Sequence, residues 1–444
     1  MENTSISSEI KTTRREQWAW YLYDFGNSAY AAVVLLAVYS AYFKGTVVGG
    51  AEGSRLWGLS VGIAMLIVAI TSPILGSIAD FSATKKRFLL FFTSMAVLFT
   101  GSLFFIGEGD IVLGMLFFIL AEIGYRSAQV FYNSILPDIA EPEEMGRISG
   151  YGWAIGSIGG IVCLLIVLAL VMTFEGTMVV RFSFIITAIF FMLSALPIFF
   201  WLRNRGQSLD LPKNENQVSI AFKRLWKTFR EIRKFRELLK FIIAFLIYND
   251  GIMMTLDFAA IYGAVMYGLE QQQLIIFMII VQVASVIGAY VFGILADKYS
   301  GKISLLISLV LMIAAILLLL LEPDLNGFYL IGSLAGFALT GVQSVSRMMV
   351  GKLSPKSRSA EFFGLFAVAG RSSSFIGPAV YGFLAAETAL FFQSRGFEIL
   401  QAEKVGQTYA MMSVCIFLIA GLIVLLFVNV KKGRAAAELE NQIR

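Results

Sequence analysis

Long apolar stretches recur along almost the whole 444-residue chain. A helix needs about 20 mostly apolar residues to cross a bilayer, and lipid offers no partner to the polar groups of an irregular backbone. Stretches of this length without any charge occur at 56–79, 88–107, 148–174, 182–202, 271–296, 303–321, 325–346 and 405–430. Others, with isolated charges, occur at 18–43, 111–135, 241–267 and 361–386. The sequence therefore predicts an all-α integral membrane protein with twelve transmembrane helices.

Basic residues are distributed unevenly between the predicted loops. With the amino terminus in the cytoplasm, the opposite side holds only Lys44, Arg55, Arg181, Arg395 and Lys404, and the cytoplasmic segments hold the other Lys and Arg residues of the loops. Because cytoplasmic loops are enriched in Lys and Arg, we predict cytoplasmic termini and a multi-pass protein of the inner (plasma) membrane. The net charge of +5 follows from this topology, so we expect membrane lipid and no nucleic acid as partner.

The composition excludes several kinds of chemistry. The chain has no histidine, and its two cysteines, Cys163 and Cys415, lie in apolar stretches. A Ser-His-Asp triad, a histidine proton relay and the commonest metal ligand are therefore excluded. The phosphate-binding motif Gly-x-x-x-x-Gly-Lys-Ser/Thr does not occur either. We expect no catalytic residues, no metal and no cofactor, and a gradient rather than ATP as the source of energy.

One long hydrophilic connection interrupts the apolar pattern near the middle of the chain. It predicts an N-terminal six-helix half at 1–203, a cytoplasmic linker at 204–236 and a C-terminal six-helix half at 237–444. Apolar residues recur at helical spacing among basic ones in the linker and just beyond it, at Phe222, Leu225, Trp226, Phe229, Ile232 and Leu239. This pattern predicts an amphipathic helix on the membrane surface, with a calmodulin-like partner site as the alternative.

The two halves share short motifs. The segment Gly76–Asp80 recurs as Gly293–Asp297, each time at the predicted cytoplasmic end of the second span of its half. The residues Pro137, Gly152 and Gly159 recur in the same order as Pro355, Gly370 and Gly377. Gly and Asp four residues apart share one helix face. We therefore predict that Gly76, Asp80, Gly293 and Asp297 form gates, in which glycine permits close packing and the carboxylate binds a neighbouring helix terminus or basic side chain.

This duplication resembles the major facilitator superfamily of secondary transporters, although Ala83-Thr84 stands where that superfamily usually has Gly-Arg. Five further segments look like its Atg22-like branch, namely Trp20–Tyr30, Tyr132–Asp138, Gly341–Arg347, Glu361–Gly364 and Arg371–Pro378. That branch covers bacterial permeases of mostly unassigned substrate and fungal vacuolar amino-acid exporters. The resemblance implies two pseudo-symmetric six-helix bundles in the major facilitator fold, and a transporter rather than an enzyme.

Charged and polar side chains within the spans are the candidate site residues, because charges at membrane depth are costly and usually serve a function. The candidates for substrate binding or coupling are Asp24, Asn27, Glu122, Arg126, Asn249, Asp250, Asp257, Arg371 and Ser373. Of these, Asp257 is predicted to lie toward the outside. Arg347 lies near a span end and is interpreted as a residue whose charge reaches the membrane surface. Trp57 is interpreted as an interfacial anchor.

Three arrangements of these residues suggest roles. Glu122 and Arg126 are four residues apart on one helix face, which predicts an ion pair that is either permanent or broken by substrate or a proton. The Gly- and Ser-rich sequence around Arg371 predicts a locally weak eleventh span that contacts a ligand or gate. A zwitterion needs a fixed anion and a fixed cation, which Asp24 or Asp250 with Arg126 or Arg371 would supply.

The leading functional hypothesis is a secondary active transporter that moves a small polar solute by alternating access between the two halves. An amino acid is the favoured substrate, and a proton bound by Asp24, Glu122, Asp250 or Asp257 is the candidate coupling ion. A transporter of lipid or hydrophobic drugs with the same fold is the alternative, and a channel or intramembrane enzyme is a remote one. We expect the protein to be a monomer.

Overall fold

A computed structural model describes residues 13–81, 85–140, 145–174, 176–203, 223, 226, 230–321, 324–355, 362, 365–366, 368–370 and 374–443. In the N-terminal half, the helices are α1 (Arg14–Val48), α2 (Gly50–Phe81), α3 (Lys85–Ser102), α4 (Ile111–Ile139), α5 (Met145–Thr173) and α6 (Thr177–Trp201). In the C-terminal half they are α7 (Arg236–Tyr267), α8 (Gln271–Lys298), α9 (Gly301–Leu319), α10 (Leu325–Leu353), α11 (Ile376–Ser394) and α12 (Ile399–Leu426). A short helix α13 (Val430–Ile443) follows.

By length and composition, 11 helices among the described residues are able to cross a membrane, and only α11 of the first twelve falls short. This helix carries Glu387 and Gln393, which lower its mean hydropathy. It was predicted at 361–386, whereas the described helix begins at Ile376 and ends at Ser394. Glu387 is tolerated toward the carboxyl end of this helix because its Oε1 atom lies 3.3 Å from Arg55 Nη1 of α2 and forms an ion pair with it.

The two halves repeat one packing arrangement. In the first half, α1 packs against α5 and α6, α4 against α2 and α3, and α3 against α6. In the second half, α7 packs against α11 and α12, α10 against α8 and α9, and α9 against α12. Each helix of the second half therefore takes the place of the helix six positions earlier. The bundle has a terminal face, where α1 begins and α12 ends, and a distal face, where α1 ends and α12 begins.

The glycines of the sequence repeat mark equivalent helix crossings. Gly159 of α5 lies so close to α1 that a Cβ atom there would overlap the carbonyl oxygen of Phe25. At the matching crossing of α11 with α7, a Cβ atom on Gly377 would lie 2.8 Å from the carbonyl oxygen of Asp250. Such small residues allow close approach of helix backbones in membrane proteins. The repeat therefore specifies where α1 meets α5 and where α7 meets α11.

The predicted gating residues are only partly within the description. Gly76 and Gly293 lie in α2 and α8 near the terminal face, whereas the side chains of Asp80 and Asp297 lie outside the described residues. A Cβ atom on Gly293 would meet nothing within 4 Å. The prediction of close packing at Gly293 is therefore wrong for this conformation, because none of the described helices approaches that side of α8.

The predicted surface helix of the linker also needs correction at its end. Phe222, Leu225 and Phe229 lie outside the described residues, and Trp226 is exposed. Ile232, however, is 1% exposed and belongs to the bundle core, and Leu239 packs against the same core from α7. These two side chains are therefore buried by protein rather than by the membrane surface, because α7 begins at Arg236, before the predicted span at 241–267.

Each half anchors its last helix in the same way at the terminal face. Lys86 of α3 donates to the carbonyl oxygen of Leu202 at 2.8 Å, just after α6 ends. Lys302 of α9 donates to the carbonyl oxygens of Leu426 and Val428, at 2.8 and 2.7 Å, where α12 ends. A cation at a helix carboxyl terminus satisfies free carbonyls and complements the helix dipole.

Two glutamates complete these anchors. Glu16 at the start of α1 accepts a hydrogen bond from the backbone N–H of Arg203 at 3.2 Å. Glu237 at the start of α7 accepts one from the backbone N–H of Asn429 at 2.6 Å. The first, third and sixth helices of each half are thereby tied together at the terminal face.

The halves meet through α2 with α11, α5 with α8, and α1 with α7 and α8. Part of α1 is π-helical, at Ala31–Ala37 and Phe43–Val48, and the carbonyl oxygen of Ala37 accepts a hydrogen bond from the Gln271 side chain of α8 at 2.8 Å. At the crossing of α2 and α11, a Cβ atom on Gly382 would lie 2.5 Å from the carbonyl oxygen of Ser54. The halves therefore approach closely toward the distal face.

Polar side chains join the halves near this face in what we call the distal network, formed by Lys44, Ser54, Tyr381, Glu403 and Gln407. The buried Lys44 and Glu403 form an ion pair. Gln407 donates to the Ser54 hydroxyl at 3.1 Å and accepts from the Tyr381 hydroxyl at 2.9 Å. These contacts hold the bundle closed on its distal side.

The crossing at Gly159 is testable by one added methyl group. Gly159→Ala should lower the free energy of unfolding by about 1–3 kcal/mol, because α1 and α5 must separate to accommodate the Cβ atom. Gly150→Ala is the matched control on the same helix, since a Cβ atom at Gly150 would meet nothing within 4 Å. Thermal unfolding in detergent measures the difference. Equal midpoints for the two variants would contradict the close crossing.

The distal network predicts a large difference between two basic residues. Lys44→Ala leaves Glu403 buried without its partner, which should cost about 3–5 kcal/mol. Arg55→Ala removes pairs whose side chains are 35–46% exposed, so it should cost at most about 1 kcal/mol. Thermal midpoints of the purified variants test this order. The double variant Lys44→Ala/Glu403→Ala should recover part of the loss, and a further decrease would argue against an uncompensated charge.

Candidate functional site

A buried ion pair lies on α4 within the bundle. Arg126 Nε lies 2.7 Å from Glu122 Oε1, the geometry expected for residues one helical turn apart. The Glu122 side chain is fully buried, and that of Arg126 is 22% exposed. Removing charges from water is expensive unless they are paired, so each of these groups depends on the other.

A second carboxylate reaches this pair from the other half. Asp257 of α7 is 2% exposed and interacts electrostatically with both Arg126 and Glu122. Its backbone is held by Trp57 of α2, whose indole N–H donates to the Asp257 carbonyl oxygen at 2.8 Å. One guanidinium therefore attracts two carboxylates that belong to opposite halves.

Two tyrosines complete what we call the central cluster, formed by Tyr30, Glu122, Tyr125, Arg126 and Asp257. The rings of Tyr30 and Tyr125 lie 4.6 Å apart, and the Arg126 guanidinium lies 5.3 Å from the Tyr125 ring centroid. Among the described residues, Glu122 Oε2, Asp257 Oδ2 and the Tyr30 hydroxyl are buried without a hydrogen-bond partner. The cluster therefore has polar atoms available for a proton or a ligand.

Asp24 and Asn27 lie closer to the terminal face. Asn27 Nδ2 donates to Asp24 Oδ1 at 3.2 Å. Arg347 of α10, in the other half, interacts electrostatically with Asp24, but no ion pair joins the two described side chains. Asp24 is half-buried and Arg347 is exposed. The two residues therefore place opposite charges on opposite halves, within electrostatic range of each other.

Asn249 and Asp250 serve the packing of α11 instead. The backbone N–H of Gly377, in the first turn of α11, donates to Asp250 Oδ1 at 3.0 Å. Asn249 Nδ2 donates to the carbonyl oxygen of Gly370 at 3.3 Å and to the Ser374 hydroxyl at 3.4 Å. A carboxylate at a helix amino terminus is favoured by free N–H groups and the dipole. The structure does not bring Asp250 to the central cluster, and it satisfies this carboxylate with α11.

The remaining candidates and one overlooked residue complete the comparison with the sequence. Arg371 and Ser373 lie outside the described residues. Asp257, predicted toward the outside, lies in the distal half of α7 and is part of the central cluster. Trp57 is fully buried rather than an interfacial anchor. The sequence did not predict the burial of Trp57, because Trp57 lies close to a span end and tryptophans at span ends commonly face the membrane interface.

Comparison with known proteins agrees with this architecture. Residues 57–438 match the family model described as vacuole effluxer Atg22 like. The uncharacterized MFS-type transporter YxiO of Bacillus subtilis is 28% identical, covering 98% of this chain and 99% of that protein. Autophagy-related protein 22 of Yarrowia lipolytica is 22% identical, covering 75% of this chain and 71% of its own length.

Solved structures show the same fold at low sequence identity. A bacterial homologue of the human lysosomal transporter Spinster, in an inward-facing and unoccupied conformation, has a TM-score of 0.71 and 15% identity, covering 95% of this chain and 97% of that one. A D-xylose–proton symporter has a TM-score of 0.66 and 12% identity, covering 94% and 98%. Because the family model covers most of the chain and the MFS-type transporter YxiO aligns with nearly all of it, the protein belongs to the Atg22-like family of major facilitator superfamily transporters.

Proposed function

We propose that this secondary transporter moves a small polar solute, with an amino acid as the favoured substrate, and that transport is coupled to a proton at the central cluster. The observation that carries the proposal is the Arg126–Glu122 ion pair with the buried Asp257 of the other half in its electrostatic range. With all three groups ionised, the cluster has one negative charge in excess. One bound proton removes that excess.

The position of the cluster supports coupling to conformational change. Glu122 and Arg126 belong to α4 of the first half, whereas Asp257 belongs to α7 of the second. When the halves move relative to one another, the separation of Asp257 from Arg126 changes with them. The proton affinity of the carboxylates then differs between the two conformations, and a ligand shifts an equilibrium only through such a difference.

The charges on opposite halves favour a polar solute over lipid or hydrophobic drugs. Asp24 and Arg347 lie within electrostatic range of each other, and an apolar ligand placed between them would leave both charges without partners. The description of the matching family as an effluxer and the resemblance to vacuolar amino-acid exporters support an amino acid. We further propose that the protein is a monomer in the plasma membrane. The distribution of Lys and Arg supports a cytoplasmic position of its terminal face.

Gradient-driven accumulation of labelled amino acids in proteoliposomes tests the coupling. With one proton per solute, a gradient of one pH unit supports at most about tenfold accumulation. Asp257→Asn should reduce accumulation to about the external concentration, because asparagine does not take up a proton. The variant should still exchange internal for external solute, since exchange needs no net movement of protons.

Glu108→Gln is the matched control, since Glu108 is an exposed carboxylate in the loop before α4. It should accumulate solute as the wild type does. Gradient-driven accumulation by Asp257→Asn equal to that of the wild type would place coupling elsewhere. Absence of amino-acid flux across the full panel, with and without a gradient, would refute the proposed substrate class.

A further inference from the structure

We propose that the solute is a zwitterion bound apart from the central cluster, with its ammonium group on Asp24 and its carboxylate on Arg347. This inference rests on the proposed function and specifies where the solute binds. The two side chains come from opposite halves, α1 and α10, and interact electrostatically without forming an ion pair. Opposite charges held apart in this way complement a molecule that carries both charges.

The surroundings of Asp24 hold its carboxylate in one position. Asn27 donates to Asp24 Oδ1 at 3.2 Å and so orients the carboxylate. Opposite it on α5 lies Gly156, where a Cβ atom would lie 2.7 Å from Asp24 Oδ2 and 2.9 Å from the Ser28 hydroxyl oxygen. Any side chain at Gly156 would displace the carboxylate, so the glycine preserves the position from which Asp24 is able to bind an ammonium group.

Arg347 is a better receptor for the carboxylate than Arg126. Arg126 is held by Glu122 at 2.7 Å and also attracts Asp257, so an incoming carboxylate would have to displace a buried partner. Arg347 is exposed and has no ion-pair partner among the described residues. Its planar guanidinium is able to bind both oxygens of a carboxylate at once.

Solute and proton would then occupy separate positions that still influence each other. Tyr125 interacts electrostatically with Asp24 on one side and with Glu122 and Arg126 on the other. The two positions are therefore close enough for charge at one to affect charge at the other. This proximity provides a physical basis for coupling without direct contact between solute and proton.

Ligand discrimination by the purified full-length protein tests the inference. Thermal stabilisation is first measured with each of the twenty standard L-amino acids, because a bound ligand raises the unfolding midpoint by mass action. The best ligand is then compared with its decarboxylated amine and its deaminated acid. The wild type should bind the amino acid at least about tenfold more tightly than either analogue, since each analogue lacks one charge-assisted contact.

Substitutions at the two charges should change this discrimination in opposite ways. Arg347→Gln should weaken amino-acid binding at least about tenfold and abolish its advantage over the amine, whereas Asp24→Asn should abolish its advantage over the acid. Arg347→Lys keeps the charge but loses the planar fork, so its affinity should be intermediate. Arg434→Gln, on the exposed surface of α13, is the control and should bind as the wild type does.

Three results would overturn the inference. If both variants retain wild-type affinity and discrimination, the zwitterion binds elsewhere, and the proposed function stands. A cysteine introduced at the terminal face reports, by its reaction with a thiol reagent, whether that face is open. If the variants change this reaction but leave ligand discrimination unchanged, Asp24 and Arg347 form a gate rather than a binding site. If no amino acid stabilises the wild type, the proposed substrate class fails and this site fails with it.

Discussion

The buried ion pair of Glu122 with Arg126, which has Asp257 of the other half in its electrostatic range, is the interaction on which the rest of the site depends. The Arg126 side chain is only 22% exposed within a membrane-spanning helix, so the protein must provide counter-charges. Glu122 of the same helix pairs with it, and Asp257 of the other half adds a second negative charge nearby. That division places the charged centre where the halves meet, which is also where a transporter needs groups whose separation changes during its cycle.

The contacts between the halves are suited to being broken and remade. At the distal face, the backbones of α2 and α11 approach closely at Gly382, and the buried links of the distal network are polar. Polar links can be exchanged for hydrogen bonds to water when that side opens, so their net contribution to stability is modest. Close backbone packing and replaceable hydrogen bonds together allow the distal side to be closed in this conformation and to open in another.

The sequence predicts this architecture well because membrane insertion depends on local properties. Apolar length specifies the helices, the recurring glycines specify equivalent crossings, and the spacing of Glu122 and Arg126 specifies their pair. Contacts between helices were harder to predict. The approach of Asp257 to Arg126, and of Arg347 to Asp24, depends on how each helix is rotated in the bundle. Asp250 illustrates the same difficulty, since its partner is a backbone N–H at the start of another helix, which carries no signal of its own in the sequence.

The lysine and glutamate anchors at the terminal face have a consequence for the origin of the chain. Glu16 and Lys86 bind residues next to α6, and Glu237 and Lys302 bind residues next to α12. Each half therefore fastens its last helix through residues of that same half. Such equivalent anchors are what duplication and fusion of one six-helix unit would leave in both halves.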